Sequence, residues 1–587
     1  MFRRSRPVVL GLLIAVCLAP FAPTAYADST SPATPPGTSA TPAATGATPA
    51  PTDPATPSPT PSDPVGQVVA PLLQQAQHAL SQVKQVFGKT STGPSSAPKK
   101  PIDATMALRN LRSTYRALPR RQQRTAERFF ARPTNKGALG CYYDNACYKT
   151  KATHELCDTK ICIHYVLQAD DPTNGVPSGD FEGVAAQNGV PGYVRFALQT
   201  MEYVNKTYKD AGYRATLGDA KSSDNGGDGR FDVYLADLGS SLYGYTQSDD
   251  PRTYNDRAGN KHTPSSAYLV LDNDYNHNDF PEHTPGQNLQ VTAAHEYFHA
   301  VQFAYDYDED AWMMEATATW AEDELYTNIN DNRGYLRSGP MRHAQNPLDA
   351  YEGNNEYGAW IFFRYLTEKY PTKVGNLPVL IRQIWTRCAK SGKGAHNQYS
   401  LQAINSVLGY HHTSLATQYV DFALANRFPW LYYSEGAAPV YHHGAALFRS
   451  AHLTRGKPSR TTTVKLQRLS ARHLRYVPGT GLRGSSQIRI TANGPTKATG
   501  GMVAVRIKPV GKPMKRVRFA LNKFGDGGHT FAFGKGKIQW VEISVLNTST
   551  RYKCNVYGGN TAYWTHTCKG RPVDNANTTK VTVDALR

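Results

Sequence analysis

The chain has 587 residues, with 65 Lys/Arg against 46 Asp/Glu and a formal net charge of +19. That length exceeds one compact core, so two or more folded units with linkers are expected. After the first two dozen residues no apolar run approaches the ~20 that a membrane span needs, which argues against an integral helical membrane protein.

In chain order, Arg3, Arg4 and Arg6 precede an apolar run from Val8 to about Ala22 and then Ala25-Tyr26-Ala27. This is the pattern of a signal peptide with an A-x-A cleavage site, predicted over 1–27, and it implies a secreted, extracellular protein. Residues 28 to about 66 are almost wholly Ala, Pro, Thr, Ser and Gly and cannot bury enough surface to offset their ordering entropy. Residues 28–101 are therefore read as a disordered tether carrying one short helix, at Val68 to Phe87. Met106, Leu108, Leu111, Leu118, Ala126 and Phe130 predict one or two helices, interrupted near Pro119.

Strands are expected at 161–166, 231–235 and 268–271, and a helix over Val194–Tyr208. Two further helices follow at 290–304 and 312–326, then a mostly helical region to about 430. From Gly456 on, short alternating runs such as Gln487-Ile488-Arg489-Ile490 and Val541-Glu542-Ile543-Ser544-Val545 predict a β-sandwich. The fold class is thus α+β, with a catalytic domain at 102–455 and an all-β module at 456–587. The latter carries 24 Lys/Arg against four Asp/Glu, whereas the middle of the chain is mildly acidic.

Cys141/Cys147, Cys157/Cys162 and Cys554/Cys568 are close pairs suited to disulfides in an oxidising compartment, with Cys388 left over. A crossed pairing among the first four, or a zinc cluster of them, is the alternative.

The segment with chemistry in it is Ala294-His295-Glu296-Tyr297-Phe298-His299-Ala300. Residues four apart on a helix leave the same face, so both imidazoles can meet one zinc ion, and Glu296, about 100° round, can reach water beside it. A catalytic zinc takes three protein ligands. The next helix, Trp312 to Glu322, offers Glu315 and Glu322, which lie about 10 Å apart along the axis and cannot both ligate one ion. Glu315 is read as the ligand and Glu322 as a carboxylate that orients a histidine or serves helix packing, with the reverse assignment as the alternative.

With these residues the sequence resembles the gluzincin metallopeptidases, the H-E-x-x-H…E clan of thermolysin-like proteases and the aminopeptidase-N family. His295-Glu296-x-x-His299 matches their zinc helix. Trp312-x-x-Glu315-Ala316-x-Ala318 is similar to their second-glutamate block, which by this match gives the ligand role to Glu315. Residues from about 104 to 430 also resemble a group of secreted bacterial metallopeptidases. The fifteen residues between His299 and Glu315 are fewer than in the best-known members, and the aminopeptidase G-x-M-E-N motif is absent. A further implication of the resemblance is that Tyr357, in Glu356-Tyr357-Gly358, matches a tyrosine that stabilises the oxyanion; core packing at the start of an amphipathic helix is the alternative.

The resemblance implies a zincin-like fold and a secreted zinc peptidase acting on peptides or proteins, with Glu296 as general base. Its rivals are a cell-surface or polyanion-binding protein built on an idle zincin fold, and a zinc hydrolase of non-peptide amides. The strand Ala267–Leu271 is a candidate to pair with extended substrate. Asp224, Asp228 and Asp232 alternate with glycines like the first half of a Ca2+ loop, but Leu235 stands where its bidentate glutamate belongs; a hydrated turn is the alternative. The basic module suits an anionic cell-wall polymer or acidic glycan, with a charged surface that only aids solubility as the alternative, and export argues against nucleic acid.

Overall fold

The computed structural model describes residues 64–88, 104–135 and 146–587, apart from short breaks at 221, 223, 250–253, 256–260, 263, 391, 393 and 556–566. All of them belong to one unit, Ser62–Arg587. The signal peptide, the tether as far as residue 63, and Cys141 of the first expected disulfide lie outside the described residues.

Helix α1 (Pro64–Gly88) is followed by α2 (Thr105–Thr114) and α3 (Arg120–Phe129), and Pro119 is the N-cap of α3, so the expected interruption falls where proline costs the ladder nothing. A five-stranded mixed sheet comprises β1 (His154–Cys157), β2 (Ile161–Tyr165), β3 (Phe231–Ala236), β4 (Gly244–Ser248) and β5 (Ala267–Asp272), in the order β1-β2-β3-β5-β4. The β2–β3 and β3–β5 pairs are parallel and the edge pair β4–β5 is antiparallel.

Side-chain alternation assigns the two faces. Val233, Leu235, Leu269 and Leu271 face a core shared with α4 (Gly192–Asp210), α5 (Pro285–Tyr305) and α6 (Ala311–Leu325). Tyr234, Tyr268 and Val270 face Ala76, Leu80, Val83 and Phe87 of α1 together with Leu108 and Leu111 of α2. Helix α1 is therefore part of the packed body, although it lies in the stretch read as a tether. Because β5 is flanked by β3 and β4, the strand Ala267–Leu271 has no edge to offer a substrate; β4, which alternation did not reveal, is the edge.

Helices α7 (Asn355–Gly358), α8 (Trp360–Lys369), α9 (Val379–Cys388), α10 (Ser400–Tyr410) and α11 (Leu415–Ala425) complete the body. The β module starts with β6 (Leu447–Leu453), ahead of the expected boundary at 456. The strands β7 (Ser459–Leu466), β8 (Ser470–Pro478), β9 (Gln487–Asn493), β10 (Gly501–Pro509), β11 (Lys515–Val517), β12 (Asp526–Ala532), β13 (Ile538–Asn547) and β14 (Asn577–Leu586) follow. They form two sheets, β6-β8-β13-β10-β11 and β7-β14-β9-β12, packed over Val464, Ile488, Val505, Ile543 and Val583. The opposite face of the first sheet puts Ala471, Ala504 and Leu546 into the core of the body.

Cys157–Cys162 and Cys554–Cys568 are disulfides, and Cys388 is free and buried. No helix among the described residues is long and apolar enough to cross a membrane.

Candidate metal centre

Helix α5 begins at a capping box in which Thr284 and Gln287 exchange side-chain and backbone hydrogen bonds, with Pro285 in the first turn. From Val291 onward every residue of it is buried. A helix sunk in a core needs partners for any polar side chain it carries, and those partners define the site.

His295 Nε2 lies 3.3 Å and His299 Nε2 3.7 Å from Glu315 Oε2. Four bonds of about 2.0–2.1 Å in a tetrahedron put donor atoms about 3.3 Å apart, so this spacing suits donors around one small ion. The three side chains offer ligand atoms all within 4.8 Å of one another. Relative exposure is 6 % for His295, 0 % for His299 and 1 % for Glu315. Neither carboxylate oxygen of Glu315 receives a hydrogen bond among the described residues, an expensive state for a buried carboxylate unless a cation completes it.

The other imidazole nitrogens are engaged. Glu322 Oε1 lies 2.6 Å from His295 Nδ1, and Gln302 Oε1 lies 2.8 Å from His299 Nδ1. Gln302 is fixed in turn by donating to Met314 O (3.0 Å) and Thr317 Oγ1 (3.1 Å) of α6. With both Nδ1 atoms acting as donors, both Nε2 lone pairs point at the position shared with Glu315. Glu322 thus sits on the far side of His295, not beside Glu315.

Glu296 is buried, and its Oε2 accepts from Thr246 Oγ1 of β4 (2.8 Å) and Thr105 Oγ1 of α2 (2.9 Å). Thr105 Oγ1 also accepts the backbone N–H of Thr246 (2.8 Å), so the start of α2 lies against the open edge of the sheet. Tyr357 stacks on His295 with ring centroids 6.2 Å apart, and Tyr335 stacks on Tyr357 at 4.9 Å. Of the six residues singled out in the sequence, His295, His299 and Glu315 therefore converge on one point, Glu322 and Tyr357 contact His295, and Glu296, beside His295 on α5, turns its carboxylate to Thr246 and Thr105. Thr105, Thr246, Gln302 and Tyr335 were missed; only Gln302, three residues beyond His299 on the same helix, was within reach of a spacing argument.

The turn between α5 and α6 is clamped from outside. Arg109 of α2 donates to Glu309 O (2.6 Å) and contacts Met314 Sδ (3.0 Å). Asp310, the residue before α6, accepts from Ser400 Oγ (2.5 Å) and from Cys568 N (2.6 Å) in the disulfide loop of the β module. Lys390 and Lys569 pair with Asp306 and Asp308 at 2.9 and 3.3 Å.

Two further groups of three metal-ligating side chains occur among the described residues. In one, Cys162 is oxidised; the other, Glu282, His283 and Asp331, is at the surface. The calcium-like loop supplies none. Its carboxylates turn to other side chains of the protein: Asp232 to Arg132 (2.7 Å) and His164 (2.7 Å), Asp224 to Arg132 (3.5 Å), Asp228 to Arg230 (2.6 Å).

No protein-family model and no curated protein matches this chain. Among solved structures, it is similar to the pre-peptidase C-terminal domain of a collagenase from Bacillus anthracis (8 % identity, TM-score 0.14, covering 23 % of this chain and 94 % of that one). It is also similar to CorA, a surface-associated copper-binding protein important in copper acquisition by Methylomicrobium album BG8 (12 % identity, TM-score 0.13, covering 24 % of this chain and 98 % of that one). Scores this low carry no argument about fold or function.

Proposed function

We propose that this chain is a secreted zinc-dependent peptidase of zincin-like fold, with His295, His299 and Glu315 as ligands and Glu296 as general base. The observation that carries the reading is the convergence of two pre-oriented Nε2 atoms on a buried carboxylate that receives no hydrogen bond among the described residues. Nitrogen–oxygen donors at this spacing suit zinc, which when bound polarises a scissile carbonyl and acidifies water.

The chain's own residues supply the rest. Glu296, held at Oε2 by two hydroxyls, takes a proton from the attacking water and returns it to the leaving amine. Glu322 and Gln302 fix the imidazole orientations and strengthen their basicity. Tyr357, stacked on His295, would donate to the developing alkoxide. An extended peptide would add to the outer edge of β4 by displacing the start of α2, whose Thr105 Oγ1 accepts the Thr246 N–H.

The test is metal analysis of the purified protein joined to a mass-spectrometric peptide-library digest. One zinc per chain is expected, with cleavage abolished by a chelator. Glu296→Gln should retain the zinc and lower kcat by about 10²-fold or more. Zinc at full occupancy with no cleavage of any peptide would favour the rival reading, a binding protein built on an idle site.

A further inference from the structure

Much of the positive charge of the β module is spent internally. Arg468 pairs with Asp349 (3.1 Å), Arg516 with Asp421 (2.6 Å) and Lys569 with Asp308 (3.3 Å), all acids of the body. Arg475 and Arg506 of the module and Arg427 of the body share one carboxylate, Glu542, at 2.7, 2.7 and 3.1 Å. Three guanidiniums on one carboxylate leave a surplus of positive charge at the seam between body and module.

That surplus borders a cleft of about 720 Å³ whose lining includes Arg337, Arg342, Arg427 and Arg475, three histidines and two aromatic rings, and no carboxylate. A second cleft of about 480 Å³ shares Arg337 and Arg342 and adds Arg333, which is paired with Glu435 at 3.1 Å. Among the described residues, Arg337 Nε donates only to Gly334 O (3.1 Å) and Arg342 Nε has no acceptor. Burial, then the charge of Arg337, holds Arg342 below its ordinary value. Like charges gathered on a concave wall focus a field that an anion relieves.

We propose that this seam binds a polyanionic glycan, a sugar chain bearing phosphate or sulfate groups, with Arg337 and Arg342 taking the oxyanions and Trp430 a sugar face. Guanidinium forks match such oxyanions bidentately. Trp430 is 40 % exposed in the lining, whereas its neighbour Phe428 is already covered by Trp540 in a parallel stack at 5.7 Å. One exposed ring, meeting Phe428 at a steep angle with centroids 5.5 Å apart, suits a sugar; a strand of bases takes a row of rings along its groove. The site stands whether or not the metal centre cleaves peptides.

Calorimetric titration of the full chain at about 0.15 M salt tests it, with a heparin hexasaccharide and a glycerol-phosphate oligomer as probes. A neutral dextran oligomer and an oligothymidylate of matching charge are the comparisons. Arg337→Gln/Arg342→Gln should weaken a charged glycan by roughly tenfold or more, and Trp430→Ala should weaken it too. Lys535→Gln/Lys537→Gln, exposed in the β12–β13 turn and outside the lining of both clefts, should change it less than about twofold. Binding of the phosphate oligomer alone marks a phosphodiester polymer as the source, and of heparin alone a sulfated one. Equal losses from both double variants, oligothymidylate binding as tight as the glycans, or no binding of either charged glycan would overturn the proposal.

Discussion

Two buried ion clusters in this molecule have inverse composition. In the body, Arg132 is held among Asp219, Asp232 and Asp249 at 2.9, 2.7 and 2.6 Å; at the seam, Glu542 is held among Arg427, Arg475 and Arg506. The first has too many anions and the second too many cations, so acid acts on them in opposite directions. Burial, with the neighbouring Asp249 charge, pushes Asp219 from 3.8 up to about 7, and burial pushes Asp249 up to about 6. The folded protein binds those protons more tightly than the unfolded chain does. Their contribution to stability is complete below about pH 4 and is lost as pH rises through 6 to 7.

At the seam, burial alone would raise Glu542, yet Arg427 and Arg506 hold it down at about 2 against an ordinary 4.5. Burial keeps His473 neutral, from 6.5 down to about 3. Here the unfolded chain binds protons more avidly, so stability is complete above about pH 6.5 and falls as pH drops towards 3. An excess of carboxylates can discharge itself by taking up protons; an excess of guanidiniums cannot.

The comparison breaks most visibly at Glu542. Glu542→Gln strands three guanidiniums and should cost about 3–5 kcal/mol in denaturant unfolding of the full chain, with no recovery on acidification. Arg132→Met should cost about 3 kcal/mol near pH 7 but less near pH 5, where Asp219 and Asp249 are protonated; equal losses at both pH values would refute the assigned asymmetry. Asp219→Asn should give a small gain in melting temperature at neutral pH that disappears near pH 4. Smallest of all, Arg475→Gln leaves two guanidiniums on Glu542 and should shift stability by about 1 kcal/mol or less.

The same contrast explains what was legible in the sequence. His295, Glu296 and His299 share one helix, Glu315 and Glu322 the next, so fixed helical spacing sufficed to pair them. Arg132 gave no such signal. It lies 87 residues from Asp219 and 117 from Asp249, and without it the Asp-Gly loop reads as a cation site. Thr105 and Glu296 are 191 residues apart, and the β4 segment Gly244-Tyr245-Thr246-Gln247-Ser248 lacks the polar–apolar alternation of a half-exposed strand because all five residues are buried. The β-sandwich was readable from alternation in strands such as β9, but its docked sheet hides Arg506 and Glu542 at positions that ordinarily face water.

The grip on the α5–α6 turn has a temporal consequence. Asp310 stands five residues before Glu315 and takes a hydrogen bond from the backbone of Cys568, while Arg109 holds the neighbouring carbonyl of Glu309. A chain growing from its amino end makes both histidines and all the carboxylates of the centre long before it reaches residue 568. The nascent protein therefore carries the full complement of donors well before the Cys568 N–H that holds Asp310.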